Sequence, residues 1–145
     1  MTTLDALQVA LAGEHAALYV YGVLGARTSA SGSPQLYADV SDAYEIHRTR
    51  RDHLTALVLE AGGTPVASEP AYEIPGRVGT PSTVSSTALG LERRTASTYA
   101  WLVANTVGVQ RRWAIDALTD AAVRGLRFRG SPEIFPGADE SADRG

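Results

Sequence analysis

Gly63-Thr64-Pro65-Val66-Ala67-Ser68-Glu69-Pro70-Ala71-Tyr72-Glu73-Ile74-Pro75-Gly76-Arg77-Val78-Gly79 is the stretch on which the fold turns. It is rich in proline, glycine and serine, and it shows no helical or strand periodicity. On both sides of it the chain reads as helix. Upstream, Leu4, Leu7, Leu11, Leu18 and Gly25 form one stripe of a first helix from about Thr3 to Arg27. A second helix starts at Ser33-Pro34, a capping residue followed by a proline in the first turn, and stops at Gly62-Gly63. Its stripe is Leu36, Val40, Ala43, Leu54, Leu57, Val58 and Ala61. Downstream, a third helix opens near Thr80-Pro81-Ser82 and carries Leu89, Ala96, Tyr99 and Val103. After a short break around Asn105 to Gly108 a fourth carries Ala114, Leu118, Ala121, Gly125 and Phe128.

Connection lengths then choose the architecture. Short links join helices one and two, and three and four, which makes two antiparallel hairpins. The long proline-rich segment lets the chain cross the length of the bundle between them, and an up-down bundle needs no such segment. The expectation is an all-α, ferritin-like four-helix bundle. One domain over residues 1–137 is expected, with Ser131-Pro132-Glu133-Ile134-Phe135-Pro136-Gly137 as an extended C-terminal strap and residues 138–145 as a disordered tail.

Composition removes several function classes. The chain has 145 residues, 44% of them hydrophobic and 20% charged, which suits one soluble domain. It has no cysteine, so thiolate metal sites, disulfides and cysteine nucleophiles are excluded. All thirteen basic residues are arginine, which excludes Schiff-base and P-loop lysine chemistry. A net charge of −3 speaks against general nucleic-acid binding. The doublets Arg93-Arg94 and Arg111-Arg112 diverge by about 100° on their helices and make no patch. The N-terminus has no basic leader, and the first apolar stretch is interrupted by Asp5, Gln8, Glu14 and His15. Neither a signal peptide nor a membrane span is expected, and the cytoplasm is the expected location.

Helical projection places one polar group near the interior of each helix. Glu14, His47 and Glu92 lie near the centres of the first three stripes, and Arg111 lies about 30° from the centre of the fourth. His15, Arg50 and Arg51 flank the stripes. The segment Gly13-Glu14-His15-Ala16-Ala17-Leu18-Tyr19-Val20-Tyr21-Gly22, with His47, Arg51-Asp52, Ala71-Tyr72-Glu73-Ile74-Pro75 and Leu91-Glu92, resembles a ferritin-like domain family of unknown function, over roughly Leu4 to Gly137. The resemblance implies the fold and no activity.

The di-iron branch of the ferritin-like group uses a Glu from each of two helices and a Glu-x-x-His from each of the other two. Glu14 and Glu92 fit the single glutamates, and His47 fits one histidine. Tyr44 stands where the second helix should supply Glu, while the fourth helix offers Arg111 and Ala114 in the Glu and His positions. Two interior carboxylates without a cation lose several kcal/mol of solvation each, and arginine can compensate them through bidentate pairing. The expected arrangement is therefore a buried polar network of Glu14, His15, His47, Arg51, Glu92 and Arg111, with Arg50 also in reach and no catalytic residue or cofactor. The function it suggests is a non-catalytic binding or structural module. The alternative is a mononuclear iron, manganese or zinc oxidoreductase with Glu14, His47 and Glu92 as ligands. A third option is a small-molecule pocket lined by Tyr44, Tyr99 and His47. Helix one also has a second apolar stripe, Val9, Ala16, Val20 and Val23, which needs cover from the crossover or from a second subunit. A homodimer through helix one is the expected assembly.

Overall fold

The structure is a computed structural model that describes residues 1–129. The expected strap and tail beyond Arg129 lie outside the described residues. Four helices follow in order: α1 Thr3–Ala26, α2 Pro34–Glu60, α3 Pro81–Ala104 and α4 Gly108–Arg129. Local chemistry sets their ends. The Thr2 hydroxyl accepts from the Asp5 amide while the Asp5 carboxylate accepts from the Thr2 amide, a reciprocal capping box. Thr80 and Thr83 repeat the device at α3, with Pro81 in the first turn. After α2, Gly62 takes φ +79°, a left-handed conformation that a side chain would resist.

The helices pack pairwise, α1 on α2 and α3 on α4, and α1 also packs on α3. Thr3 at the start of α1 donates to the carbonyl of Asn105 beyond the end of α3, so these two helices run antiparallel. This is the expected ferritin-like bundle, all-α among the described residues. By composition α1 could pass for a membrane span, with a mean hydropathy of 1.2 in its most apolar window. In the bundle its buried face carries Leu7, Leu11, Glu14 and Tyr21 against the other helices.

The core falls into two apolar clusters. Leu7, Leu11, Leu54, Val58, Tyr99 and Leu102 anchor one. Tyr21, Leu24, Val40, Val84, Ala88 and Leu91 anchor the other. The crossover between α2 and α3 lies against α1. Gln8 holds it by its side-chain amide, donating to the Thr64 carbonyl at 2.6 Å and accepting from the Val66 amide at 2.9 Å. Ile74 and Val78 pack against the second cluster, which contains Val20 at 2% exposure. The crossover is therefore the cover for Val20. Val9 stays 45% exposed.

Candidate functional site

Five side chains, each at most 2% exposed, form a continuous hydrogen-bonded chain between the two apolar clusters. The Tyr99 hydroxyl donates to Glu14 Oε1 at 2.6 Å, and Glu14 Oε2 lies 2.5 Å from His47 Nδ1. His47 Nε2 lies 3.0 Å from Glu92 Oε1, which also accepts from the Tyr21 hydroxyl at 2.6 Å. The order is Tyr99, Glu14, His47, Glu92, Tyr21. It has a near-symmetry that the helices impose. Glu14 and Tyr21 are seven residues apart on α1, as are Glu92 and Tyr99 on α3. Because the two helices are antiparallel, each glutamate meets the other helix's tyrosine, and α2 inserts His47 between the two carboxylates.

Both ring nitrogens of His47 face carboxylate oxygens, and two ionised carboxylates are satisfied there only if both nitrogens donate, which makes the ring an imidazolium. Burial opposes that charge. The Glu14 carboxylate and its hydrogen bond, followed by those of Glu92, outweigh burial and raise the His47 pKa to about 9. Burial alone would likewise raise Glu92, but the hydrogen bond and charge of His47, then Tyr21 and Arg124, hold it below the usual carboxylate range. Burial first, then the adjacent carboxylates, push both tyrosine hydroxyls well above their ordinary value. They stay neutral donors across the physiological range.

Two arginines complete the charge balance. Arg50 is buried, bonds the Ala117 carbonyl and Asp120, and stands 5.2 Å from the centre of the Tyr99 ring. Arg124 is also buried and pairs with Asp120 at 2.8 Å. Glu14, Glu92 and Asp120 thus meet His47, Arg50 and Arg124: three carboxylates and three cations. The cluster opens to water at Asp120, whose side chain is 43% exposed. Arg50 Nη1 and Glu92 Oε2 are buried without a hydrogen-bond partner.

Several sequence expectations are corrected here. Glu14, His47 and Glu92 do converge, but the other expected members do not join them. Arg111 is exposed, and its Nε donates to the Val103 carbonyl. The buried face of α4 is Ala114, Ala117, Ala121, Arg124 and Phe128, and Arg111 lies roughly 90° from its centre. It also sits roughly 13 Å along the helix from Asp120, at 1.5 Å per residue. Arg51 is only half-buried and pairs with its neighbour Asp52, while Arg50 turns inward. His15 bonds the Val66 carbonyl through Nε2, so it ties down the crossover. Tyr44 and Tyr99 face different spaces: Tyr44 borders a groove with Tyr37, whereas Tyr99, itself buried, lines a cleft between α1 and α3. Tyr21, Arg50, Asp120 and Arg124 complete the site. The paired Glu-x6-Tyr spacing was the signal that could have found the tyrosines.

A metal centre does not fit this geometry. His47 has no free nitrogen, and its ring separates the two carboxylates that would have to converge on an ion. Among the described residues no group of three or more His, Asp or Glu is placed to hold a metal. On α4 the carboxylate at this level, Asp120, is held by Arg50 and Arg124.

Fold and site together define an all-α, ferritin-like four-helix domain with a buried Glu/His/Arg charge cluster inside the bundle. Residues 6–140 match the family described as Domain of unknown function (DUF4439), and the chain belongs to that family. Its fold is also similar to the crystal structure of a conserved hypothetical protein, rv2844, from Mycobacterium tuberculosis. That match has a TM-score of 0.81 and 29% sequence identity, and covers 88% of this chain and 95% of that one. No curated protein matches the chain.

Proposed function

We propose that the domain is a non-catalytic binding or structural module whose charge cluster replaces a metal centre as the fixed polar layer of the bundle. The observation that carries this reading is the position of His47, with an imidazolium between two carboxylates where a cation would otherwise be needed. A mononuclear oxidoreductase using Glu14, His47 and Glu92 would require His47 to lose a ring proton and to turn that nitrogen from its carboxylate to the ion, with both carboxylates swung round onto the same ion. Elemental analysis of protein purified without a metal-affinity tag tests the proposal. The expected result is iron, manganese and zinc each far below one atom per chain. Stoichiometric metal that survives dialysis and disappears in Glu92→Ala would sink it.

The net charge of −3 speaks against nucleic acid as the partner, and the cleft between α1 and α3 supports a small molecule. Self-association through α1 remains part of the proposal, supported by exposed Val9. Light scattering should then show a dimer that Val9→Glu dissociates. A monomer in both proteins would remove the dimer from the account.

A further inference from the structure

We propose that two adjoining clefts beneath the crossover bind a small amphipathic monocarboxylate, with its acid group at Arg94 and Arg77 and its tail between α1 and α3. This rests on the reading of the domain as a binding module and gives the module a ligand class. The first cleft is about 190 Å³, and its walls include Ala16, Val20 and Leu91. Its α1 wall also includes Gly13, where even an added Cβ would meet only Thr98, at 3.8 Å. The second cleft is about 350 Å³ and brings Arg77 and Arg94 together with the hydroxyl side chains of Thr83 and Ser86. Pro75 and Arg94 line both, so the clefts meet under the crossover.

Charge decides what fits. Arg48, Arg50, Arg51, Arg124 and Arg127 all pair with carboxylates. Among the described residues, exposed Arg77 and Arg94, like Arg27, Arg111 and Arg112, pair with no carboxylate, and Arg77 and Arg94 line one cleft together. Two guanidiniums on one cleft that pair with no carboxylate among the described residues suit an anion. Glu14 and Glu73 line the inner cleft; Glu14 is held by His47 and Tyr99, and Glu73 forms no ion pair with either arginine among the described residues. The charge of Glu73 is the one left to act on a ligand. It disfavours a second negative charge on the ligand, so the head group is a carboxylate and not a phosphate. At about 30 Å³ per water-sized group, the inner cleft of about 190 Å³ takes a tail of roughly six carbons.

Titration calorimetry of the full chain with linear carboxylates from butanoate to octanoate tests this. Affinity should rise by roughly fourfold per methylene, the equivalent of burying each one. Octanol and octyl phosphate should each bind at least about tenfold more weakly than octanoate, since a hydrogen-bonded charge pair is lost or a repulsion gained. Arg94→Gln should weaken octanoate by a similar factor. Thr98→Leu, which fills the inner cleft, should remove the chain-length dependence. Ala16→Ile replaces it if the melting midpoint shows that Thr98→Leu does not fold. Affinities independent of chain length, equal binding of octanol, tighter binding of octyl phosphate, or no saturable binding at millimolar octanoate would each overturn the proposal. Metal content tests the module reading separately, so a metal-free, folded protein that ignores octanoate loses only the ligand class.

Discussion

At the scale of single residues, His47 is held charged by two neighbours, and this gives the domain a pH-dependent stability. Its folded pKa, about 9, is above the unfolded value of 6.5. The stabilisation is therefore fully present below about pH 6.5 and is lost as pH rises through about 9. Glu92 has the opposite sign: its contribution is present above the ordinary carboxylate value and is lost as pH falls through its lower folded value. Denaturant melts across pH should show a plateau between these limits and a decline on either side. Stability that kept rising above pH 9 would contradict the assignment of charge to His47. Replacing His47 by Leu leaves Glu14 and Glu92 unpaired, and removing one partner of a buried pair typically costs about 3–5 kcal/mol. Acidification should recover part of that loss, because protonated carboxyls need no cation. The two arginines separate cleanly. Arg111→Ala, at an exposed position, should change stability by no more than about 0.5 kcal/mol. Arg50→Ala should cost about 3 kcal/mol, near the lower end for a buried pair, because Asp120 is partly solvated. Equal effects from the two substitutions would mean that α4 is rotated from the orientation described.

At the scale of elements, helix ends and connections were the most legible part of the sequence. Thr80-Pro81 and Gly62-Gly63 act through backbone geometry and hydrogen bonds within a few residues, so their signals are local. The inward residues Glu14, His47 and Glu92 were legible for a related reason, since rotation about a helix follows from its own apolar stripe. Axial height was not. Arg111 falls on the first turn of α4, far from the level of His47, and only the packing of the hairpins sets that level. Arg50 and Arg51 differ by one step of rotation, and the apolar stripe of α2 does not choose between them. The second face of α1 left its cover open: the crossover, tied to Gln8, lies over the part with Val20 and leaves Val9 exposed. Gln8→Ala removes both bonds to the crossover backbone. At about 1 kcal/mol net per hydrogen bond, exchange of the Val66 amide should accelerate by roughly tenfold or more, while the α2 and α3 core amides stay protected. Unchanged exchange at Val66 would show that His15, Ile74 and Val78 hold the crossover without Gln8.

At the scale of the whole molecule, the two apolar clusters meet across a charged layer. Tyr99 belongs to one cluster and Tyr21 to the other, so the hydrogen-bonded chain joins them. A layer of this kind fixes how α1, α2 and α3 align, because sliding any of them by one turn would part buried carboxylates from His47 or from their tyrosine donors. The central claim is that a protonated His47 does the work of a metal in holding two buried carboxylates together. Nitrogen-15 NMR of the His47 ring, recorded from about pH 6 to pH 10 with and without added zinc, tests it most directly. The account predicts that both ring nitrogens carry protons up to about pH 9 and that zinc leaves their shifts unchanged. A ring that titrates near its ordinary value of 6.5, or one whose nitrogen shifts move on addition of stoichiometric zinc, would contradict it.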